Sequence, residues 1–188
     1  IDRVRQSGKV RSVGVALGPA IGWLDEGLYA LDNLPVEIVH MIYNALELDP
    51  GLQLIESARR NNKSLLVRVP HSSGMLEGKY TLDTKFDASD HRKHRPRAWM
   101  VNGLKKIEQL DFLTTEGQTL GQAALRYVLR TPEVVSALPN IYGHEQLDEF
   151  AAASDAPDIT DEQNAQIEQL FESNYGLERE REAGLATR

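Results

Sequence analysis

The sequence predicts an α/β protein with a parallel sheet that is covered by helices. Short runs rich in β-branched and apolar residues alternate along the chain with segments that carry apolar residues at helical spacing. The strand-like runs are almost wholly apolar, which is typical of parallel strands. Four β-α units of this kind occur in 188 residues, a length sufficient for one domain with a substantial core.

The elements follow one another in a regular order. The predicted strands are Val10–Leu17, Val36–Asn44, Ser64–Val69 and Glu133–Asn140. The predicted helices are Trp23–Leu34, Pro50–Asn62, Gly103–Thr114, Thr119–Thr131, Gly143–Ser154 and Thr160–Asn174. The last helix begins with a capping pattern, because Gln163 follows Thr160 by three positions. The first ten residues resemble the last turns of a helix, so we expect the chain to begin within a larger protein.

Two polar segments lie outside this alternation. Thr81–Arg97 is predicted to be a long polar loop, and Leu177–Arg188 a charged tail that is solvated or forms a frayed helix end. His91 and His94 have a spacing that metal ligands can have. Four basic neighbours would repel a cation there, so the pattern favours a solvated loop, and we predict no metal site.

Composition narrows the classes of function. The formal net charge of −7 argues against a general binder of nucleic acid or of acidic membranes. The absence of cysteine excludes a disulfide framework and a thiolate metal site, and it fits a cytoplasmic protein. No apolar stretch approaches the roughly 18–20 residues that span a bilayer. No P-loop, nucleophile elbow or Gly-x-Gly-x-x-Gly pattern occurs.

Polar residues follow three of the predicted strands, where ligands bind in parallel β-α folds. Arg68 is the most unusual of these residues, because its charged side chain interrupts the apolar run "SLLVRV". Strand alternation places it on the same face as Leu66, where it could meet an anion or an aromatic ring. Three less specific interpretations stay open: Arg68 could pair with a structural carboxylate, His40 could be a core histidine, and Ser72–Gly74 could be a plain turn.

Five segments together resemble the C-terminal half of aldo-keto reductases. They are "SGKVRSVGVA", "VEIVHMIYNAL", "LLVRVPHSSGMLEGKY", "TLGQAALRYVL" and "VVSALPNIYGHEQLDEF", in the family's order and spacing, from about Ser7 to about Phe150. The resemblance implies the C-terminal half of a TIM-type (β/α)8 barrel, strands five to eight with their helices, over residues 1–188. It also implies that Thr81–Arg97 belongs to the long loop after strand seven.

The resemblance implies that NADP or NAD is the cofactor, and it suggests which residues bind it. The implied cofactor-binding residues are His40, Arg68, Pro70, Ser72, Gly74, Lys79, Asn140, Tyr142 and Gln146. No catalytic residue is implied, because the family's catalytic aspartate, tyrosine, lysine and histidine belong to segments with no counterpart in this sequence. In the family, the tyrosine protonates the carbonyl oxygen while the nicotinamide delivers hydride.

Several positions depart from the family's commonest pattern. Ala16 and Leu17 stand where many members have a serine and an asparagine that hold the nicotinamide carboxamide, and His40 replaces a glutamine. Tyr142 replaces an arginine that often binds the 2′-phosphate of NADP, and Phe150 replaces an asparagine near the adenine. Arg68 stands where an aromatic ring often stacks on the nicotinamide, and a planar guanidinium can also stack there.

Three functions are compatible with this sequence. The first is an NAD(P)H-dependent carbonyl reductase whose N-terminal half is supplied elsewhere, with a small carbonyl compound as the substrate of the parent enzyme. The second is a non-catalytic half-barrel that acts as a cofactor-binding or assembly module, and the third is an interaction protein that no longer binds nucleotide. In each case we expect a homo-oligomer or a complementary N-terminal half as partner, because half a barrel leaves its edge strands unpaired.

Overall fold

The computed structural model of the protein describes residues 2–18, 23–114 and 117–178. The strands in these ranges are β1 (Gly14–Ala16), β2 (Ile38–Ile42), β3 (Ser64–Arg68) and β4 (Val134–Leu138). The helices are α1 (Asp2–Gln6), α2 (Leu24–Asn33), α3 (Gly51–Arg60), α4 (Arg97–Glu108), α5 (Leu120–Leu129), α6 (His144–Ala151) and α7 (Asp161–Glu172). Short 3₁₀ helices cover Met75–Glu77, His91–His94, Asp111–Leu113, Ala152–Ser154 and Asn174–Gly176.

The four strands form one parallel sheet in the order β1-β2-β3-β4. Each neighbouring pair is joined through at least one helix, as parallel pairing requires. The register pairs Val39 with both Val15 and Leu65, and it pairs Arg68 with Ile42 and Leu138. The predicted α/β class with a parallel sheet is therefore confirmed.

The two faces of the sheet differ in burial. On one face, Val39, Met41, Leu65 and Val67 are at most 1% exposed, because they pack in the core with side chains of the helices. The other face, which we call the open face, consists of Gly14, Ala16, Ile38, His40, Ile42, Leu66, Arg68, Ser136 and Leu138. Its residues are partly buried or exposed, and Leu138 is 44% exposed.

The first predicted strand is longer than the observed one. Pairing with β2 extends only from Gly14 to Ala16, although Val10–Leu17 was expected. Just before β1, the Val13 carbonyl still accepts the Glu37 amide. To continue this ladder toward the N-terminus, the residue two positions before Glu37 would have to donate its N–H to the first strand. That residue is Pro35, which has no N–H to donate.

The helix expected at Gly103–Thr114 lies further toward the N-terminus. Helix α4 begins at Arg97, directly after Pro96, and ends at Glu108. Buried Met100 and Gly103 continue the apolar spacing of Ile107 toward the N-terminus, so the helical pattern begins before Gly103. The polar segment Thr81–Arg97 therefore ends where α4 begins, and it contains the 3₁₀ helix at His91–His94. The expected charged tail lies outside the described residues beyond Glu178.

Two helices begin with complete capping boxes. Thr119 accepts the amide of Gln122, and the Gln122 side chain accepts the amide of Thr119. Thr160 and Gln163 make the same reciprocal pair at the start of α7, as the sequence predicted. In the part of the chain that the structure describes, every helix is too short or too polar to cross a membrane.

Candidate functional site

The carboxyl ends of the four strands meet at one edge of the sheet, and the predicted site residues lie at or beyond it. His40 and Arg68 lie on the open face of β2 and β3. The segment after β3 carries Pro70, Ser72, Gly74 and Lys79, and the segment after β4 carries Asn140, Tyr142 and Gln146. In parallel β-α folds this edge is where ligands bind.

Arg68 contacts backbone carbonyl groups in this structure. Its Nη1 donates to the carbonyl oxygen of Leu17 at 2.9 Å, and its Nη2 donates to that of Gly18. These bonds use two of the five guanidinium donors and tie β3 to the segment that follows β1. The partly buried charge is therefore satisfied by peptide dipoles and not by the structural carboxylate that the sequence left open.

His40 lies on the neighbouring strand and has an unpartnered ring nitrogen. Its Nε2 is buried and has no hydrogen-bond partner among the described residues. Burial lowers the pKa of His40, and the nearby charge of Arg68 lowers it further, so the ring is neutral at pH 7. A buried polar atom without a partner costs free energy, which a ligand's donor or acceptor could recover.

The loop after β3 adopts an unusual backbone. Val69, Ser72, Ser73 and Gly74 have φ angles of 56°, 47°, 58° and 92°. For a β-branched residue such as Val69, this conformation is strained and needs support from its surroundings. At Gly74 only glycine fits, because a side chain would collide with the hydroxyl group of Tyr80.

Asn44 supports this loop, a role that the sequence did not predict. Its side-chain amide donates to the Val69 carbonyl at 3.0 Å and to the Glu47 carboxylate at 2.6 Å, while its oxygen accepts the Leu46 amide. The side chain is fully buried. Its position at the end of an apolar strand was the available signal, because a buried amide needs several backbone partners.

Lys79 and Gln146 are engaged with carboxylates of the chain itself. Lys79 donates to Glu149 at 2.8 Å, which raises the pKa of Lys79. Burial of Glu149 would raise its pKa, but the hydrogen bonds from Lys79 and Thr119 outweigh burial and lower it. Gln146 donates to Glu77 at 2.8 Å and accepts the Tyr142 amide at 2.9 Å.

Asn140 and Tyr142 are exposed, and Tyr142 is 61% exposed. The aromatic ring of Tyr142 faces the guanidinium of Arg92, whose central carbon lies 5.0 Å from the ring centroid. Arg92 belongs to the segment Thr81–Arg97, which was predicted to be a polar loop. The signal that could have indicated its packing is the set of aromatic residues around it: Tyr80, Phe86 and Trp99.

Phe150 has a packing role beneath the site. It is 6% exposed, and its ring stacks on His71 with centroids 4.3 Å apart. His71 in turn makes a 2.9 Å hydrogen bond between Nε2 and the Gly121 carbonyl. Burial lowers the pKa of His71, partly opposed by the bond to Gly121. Phe150 therefore packs against the ring of His71.

A cavity of about 660 Å³ lies away from the open face, between the loop after β2, helix α4 and the end of α7. Its wall includes Ser72, Trp99 and Phe171 together with Glu47 and Asp49. Of the predicted cofactor residues, Ser72 alone lines it. The predicted site at the strand ends and this cavity thus share only Ser72.

The sequence profile of the aldo/keto reductase family matches residues 1–172. The chain is 24% identical over 147 residues to an aldo-keto reductase of Strobilurus tenacellus, covering 74% of this chain and 44% of that protein. It is 27% identical over 123 residues to the L-glyceraldehyde 3-phosphate reductase of Escherichia coli O157:H7, covering 62% of this chain and 36% of that protein.

Solved structures show the same fold. A glycerol dehydrogenase from Gluconobacter oxydans superposes with a TM-score of 0.75 at 19% identity, covering 98% of this chain and 55% of that one. The holo form of an aldo-keto reductase from Bacillus halodurans superposes with a TM-score of 0.65 at 18% identity, covering 90% of this chain and 53% of that one. The chain thus spans about half the length of these relatives or less. With the profile match over most of its length and a sheet of the same kind, this chain belongs to the aldo/keto reductase family of oxidoreductases.

Proposed function

We propose that this chain is the cofactor-side half of an NAD(P)H-dependent carbonyl reductase, corresponding to strands five to eight of a (β/α)8 barrel. The observation that carries the proposal is the pair formed by His40 and Arg68 at the carboxyl edge of the open face. His40 presents a buried nitrogen that has no partner within the described ranges, and Arg68 presents a planar cation beside it. The sequential order of the four strands supports the assignment to consecutive barrel strands.

The residues present fit the nicotinamide end of the cofactor. NAD or NADP would supply the hydride when bound. The Nε2 atom of His40 would hydrogen-bond a polar group of the nicotinamide, and the guanidinium of Arg68 would offer it a flat cationic surface. The left-handed loop around Ser72 and Gly74 would border the phosphates, but the amides of these two residues already donate to the carbonyls of Val69 and His71. The adenosine end fits less well, because Arg92 occupies the space that Asn140 and Tyr142 would border.

The catalytic acid would come from a complementary N-terminal half, whether on the same polypeptide or on another. We therefore propose such a half as the partner, or a second copy of this chain if no such half exists. The substrate would be a small carbonyl compound, as in the family. The absence of cysteine is compatible with the reducing cytoplasm, where we expect the protein to act.

A second candidate function is a cofactor-binding or assembly module without catalysis. Two observations favour it. Ala16 and Leu17 offer no side-chain donors toward the nicotinamide, and Arg68 is already bound to the carbonyls of Leu17 and Gly18. The two candidates agree on nucleotide binding and differ on whether adding an N-terminal half restores carbonyl reduction.

Titration of the chain with NADH and NADPH, followed by nucleotide fluorescence, tests the proposal. Arg68→Ala should weaken binding by about 2- to 30-fold, because a cation stacked against a ring contributes roughly 0.5–2 kcal/mol. Arg60→Ala is the matched control, since Arg60 is exposed on α3. Thermal melts of both variants separate lost binding from lost folding. If Arg68→Ala binds as tightly as the parent, Arg68 is not part of the site.

The same titration tests cofactor choice. We expect less than about a hundredfold preference for NADPH over NADH, which corresponds to about 2.7 kcal/mol. Tyr142 stands where the resemblance places a phosphate-binding arginine, and a hydroxyl offers one neutral donor in place of a bidentate cation. A larger preference would mean that another residue binds the 2′-phosphate.

A further inference from the structure

The cavity on the helix side of the sheet has the size and the side chains of a second ligand site. It lies between the loop after β2, helix α4 and the end of α7, and its volume is about 660 Å³. We call it the α4 cavity. Ligand pockets usually have volumes of roughly 300–1,000 Å³, so an organic molecule fits. None of the open-face residues lines it, so a partner that covers the open face would leave the cavity accessible.

The interior of the α4 cavity is apolar and partly aromatic. Leu46 and Met75 are 7% and 1% exposed and form its buried part. Trp99 and Phe171 are half-buried and come from two different helices, α4 and α7. Both rings pack against the core and also line the cavity. An aromatic ring that is held by the core and is still accessible offers a rigid apolar surface to a ligand.

A hydroxyl group without a partner lies in the wall of the α4 cavity. It belongs to Ser72, which is only 5% exposed. The backbone of Ser72 is satisfied, since its N–H donates to the Val69 carbonyl at 3.0 Å and its carbonyl accepts the Met75 amide at 3.2 Å. Its hydroxyl forms no hydrogen bond with any of the described residues. A polar group of a ligand would therefore find a donor and acceptor in a place that is mostly shielded from water.

Two walls of the α4 cavity carry charges of opposite sign. The loop after β2 contributes the carboxylates of Glu47 and Asp49. The segment at the start of α4 contributes the guanidinium of Arg95. Lys106 and Glu178 add one charge of each sign to the lining. The cavity therefore offers separate places for a cationic group and for an anionic group.

The opposite charges do not neutralise each other across the cavity. Within the described ranges, no ion pair joins Glu47 or Asp49 to Arg95. Arg95 donates to the Ser73 hydroxyl at 3.1 Å, and its guanidinium carbon lies 5.2 Å from the centroid of the Trp99 ring. Because a guanidinium has several N–H groups, this arrangement leaves donors for the carboxylate of a ligand.

We propose that the α4 cavity binds a small zwitterion with an aromatic body, the chemistry of a free aromatic amino acid or of an aromatic dipeptide. The ammonium group of the ligand would face Glu47 and Asp49, and its carboxylate would face Arg95. Its ring would pack against Trp99 and Phe171. The inference goes beyond the proposed function, because no part of it requires a nucleotide.

Isothermal titration calorimetry with L-phenylalanine and with L-phenylalanyl-L-phenylalanine tests the proposal. We expect saturable binding, and the tighter of the two compounds identifies which source of the chemistry fits. N-acetyl-L-phenylalanine lacks the ammonium group and L-phenylalaninamide lacks the carboxylate, so each should bind at least about fivefold more weakly than L-phenylalanine. The proposal is overturned if neither zwitterion binds, or if the blocked compounds bind as tightly as the free amino acid.

Variants that remove one charge locate the ligand in the cavity. Asp49→Asn and Arg95→Gln should each weaken binding of L-phenylalanine at least about threefold. Asp49→Asn should not affect the N-acetyl compound, and Arg95→Gln should not affect the amide, because each compound lacks the matching group. Lys105→Gln and Glu108→Gln are the controls, since both residues are exposed on α4 and neither lines the cavity. Thermal melts check that every variant folds. Equal effects of control and cavity variants overturn the assignment.

Saturating NADPH distinguishes this site from the proposed nucleotide site. The affinity for L-phenylalanine should change by less than about twofold, because the α4 cavity and the predicted cofactor residues have only Ser72 in common. Displacement of L-phenylalanine by NADPH would place both compounds in one site and overturn the proposal. Binding of L-phenylalanine by a chain that does not bind NADPH would refute the proposed function and leave the α4 cavity confirmed.

Discussion

Single polar side chains at the carboxyl edge of the sheet are bound to backbone carbonyls from distant parts of the chain. Arg68 binds the carbonyls after β1, Asn44 binds that of Val69, and His71 binds that of Gly121. Each of these side chains is at least partly buried, so each needs such a partner to offset the loss of water. Their replacement is therefore expected to alter stability as well as any ligand binding.

His71 should make the stability of the protein depend on pH. Burial lowers its pKa in the folded state below the ordinary value of 6.5, so the unfolded chain takes up the proton first as pH falls. The free energy of unfolding should therefore decrease below about pH 6.5, by up to about 1.4 kcal/mol for each pH unit until the folded-state pKa is reached. His40, whose pKa burial also lowers, contributes with the same sign.

Urea unfolding at pH 7.5 and pH 5.0 measures this dependence. His71→Gln keeps a donor for the Gly121 carbonyl and should reduce the difference between the two pH values. His94→Gln, at an exposed position, should retain the parent's difference. A parent protein that is equally stable at both pH values would show that His71 is protonated without cost in the folded state.

Among the elements, α5 and α7 have side-chain caps at their first turns, whereas α2, α3 and α6 have none. The capped helices follow irregular segments, so the box determines where each helix starts. Helix α7 contributes fully buried Ile167 to the core. Its start therefore affects packing beyond the helix itself.

Thr160→Ala should lower the free energy of unfolding by about 1 kcal/mol, within the 0.5–2 kcal/mol range of such caps. The variant loses the acceptor for the Gln163 amide at the first turn of α7. Urea unfolding with a fixed m-value measures the change, and Ser12→Ala, at an exposed position outside the helices, serves as the control. A loss no larger than that of Ser12→Ala would mean that water replaces the cap.

At the scale of the whole molecule, the described residues form a sheet with one covered face and two unpaired edges. Leu138 and Val135 are 44% and 56% exposed on the last strand, and β1 pairs with β2 alone. Such edges and such a face promote association with another chain. Exposing several aliphatic side chains costs on the order of 1.5–3 kcal/mol each, which is large against a total stability of about 5–15 kcal/mol.

We therefore expect that the isolated chain is not a folded monomer. Light scattering after size-exclusion chromatography should give a mass above the 21.0 kDa of one chain, with two copies as the simplest assembly. Leu138→Glu should weaken the association, whereas Leu82→Glu, which changes a similarly exposed residue of the Thr81–Arg97 segment, should not. A mass near 21.0 kDa together with a sharp thermal transition would refute the half-barrel argument.

The sequence by itself determined the features that depend on neighbouring residues. The apolar runs defined the three longer strands, and the Thr160–Gln163 pair defined the start of α7, because strand burial and helix capping act over a few positions. The motifs also indicated the family, which the profile match confirms. The tertiary structure decided what depends on distant partners. Pro35 shortens β1, and Arg68 donates a hydrogen bond to the carbonyl of Leu17, which lies 51 positions earlier in the sequence. Packing between Phe86 and Tyr142 fixes the position of Arg92, since no local pattern specifies which rings a surface arginine will contact.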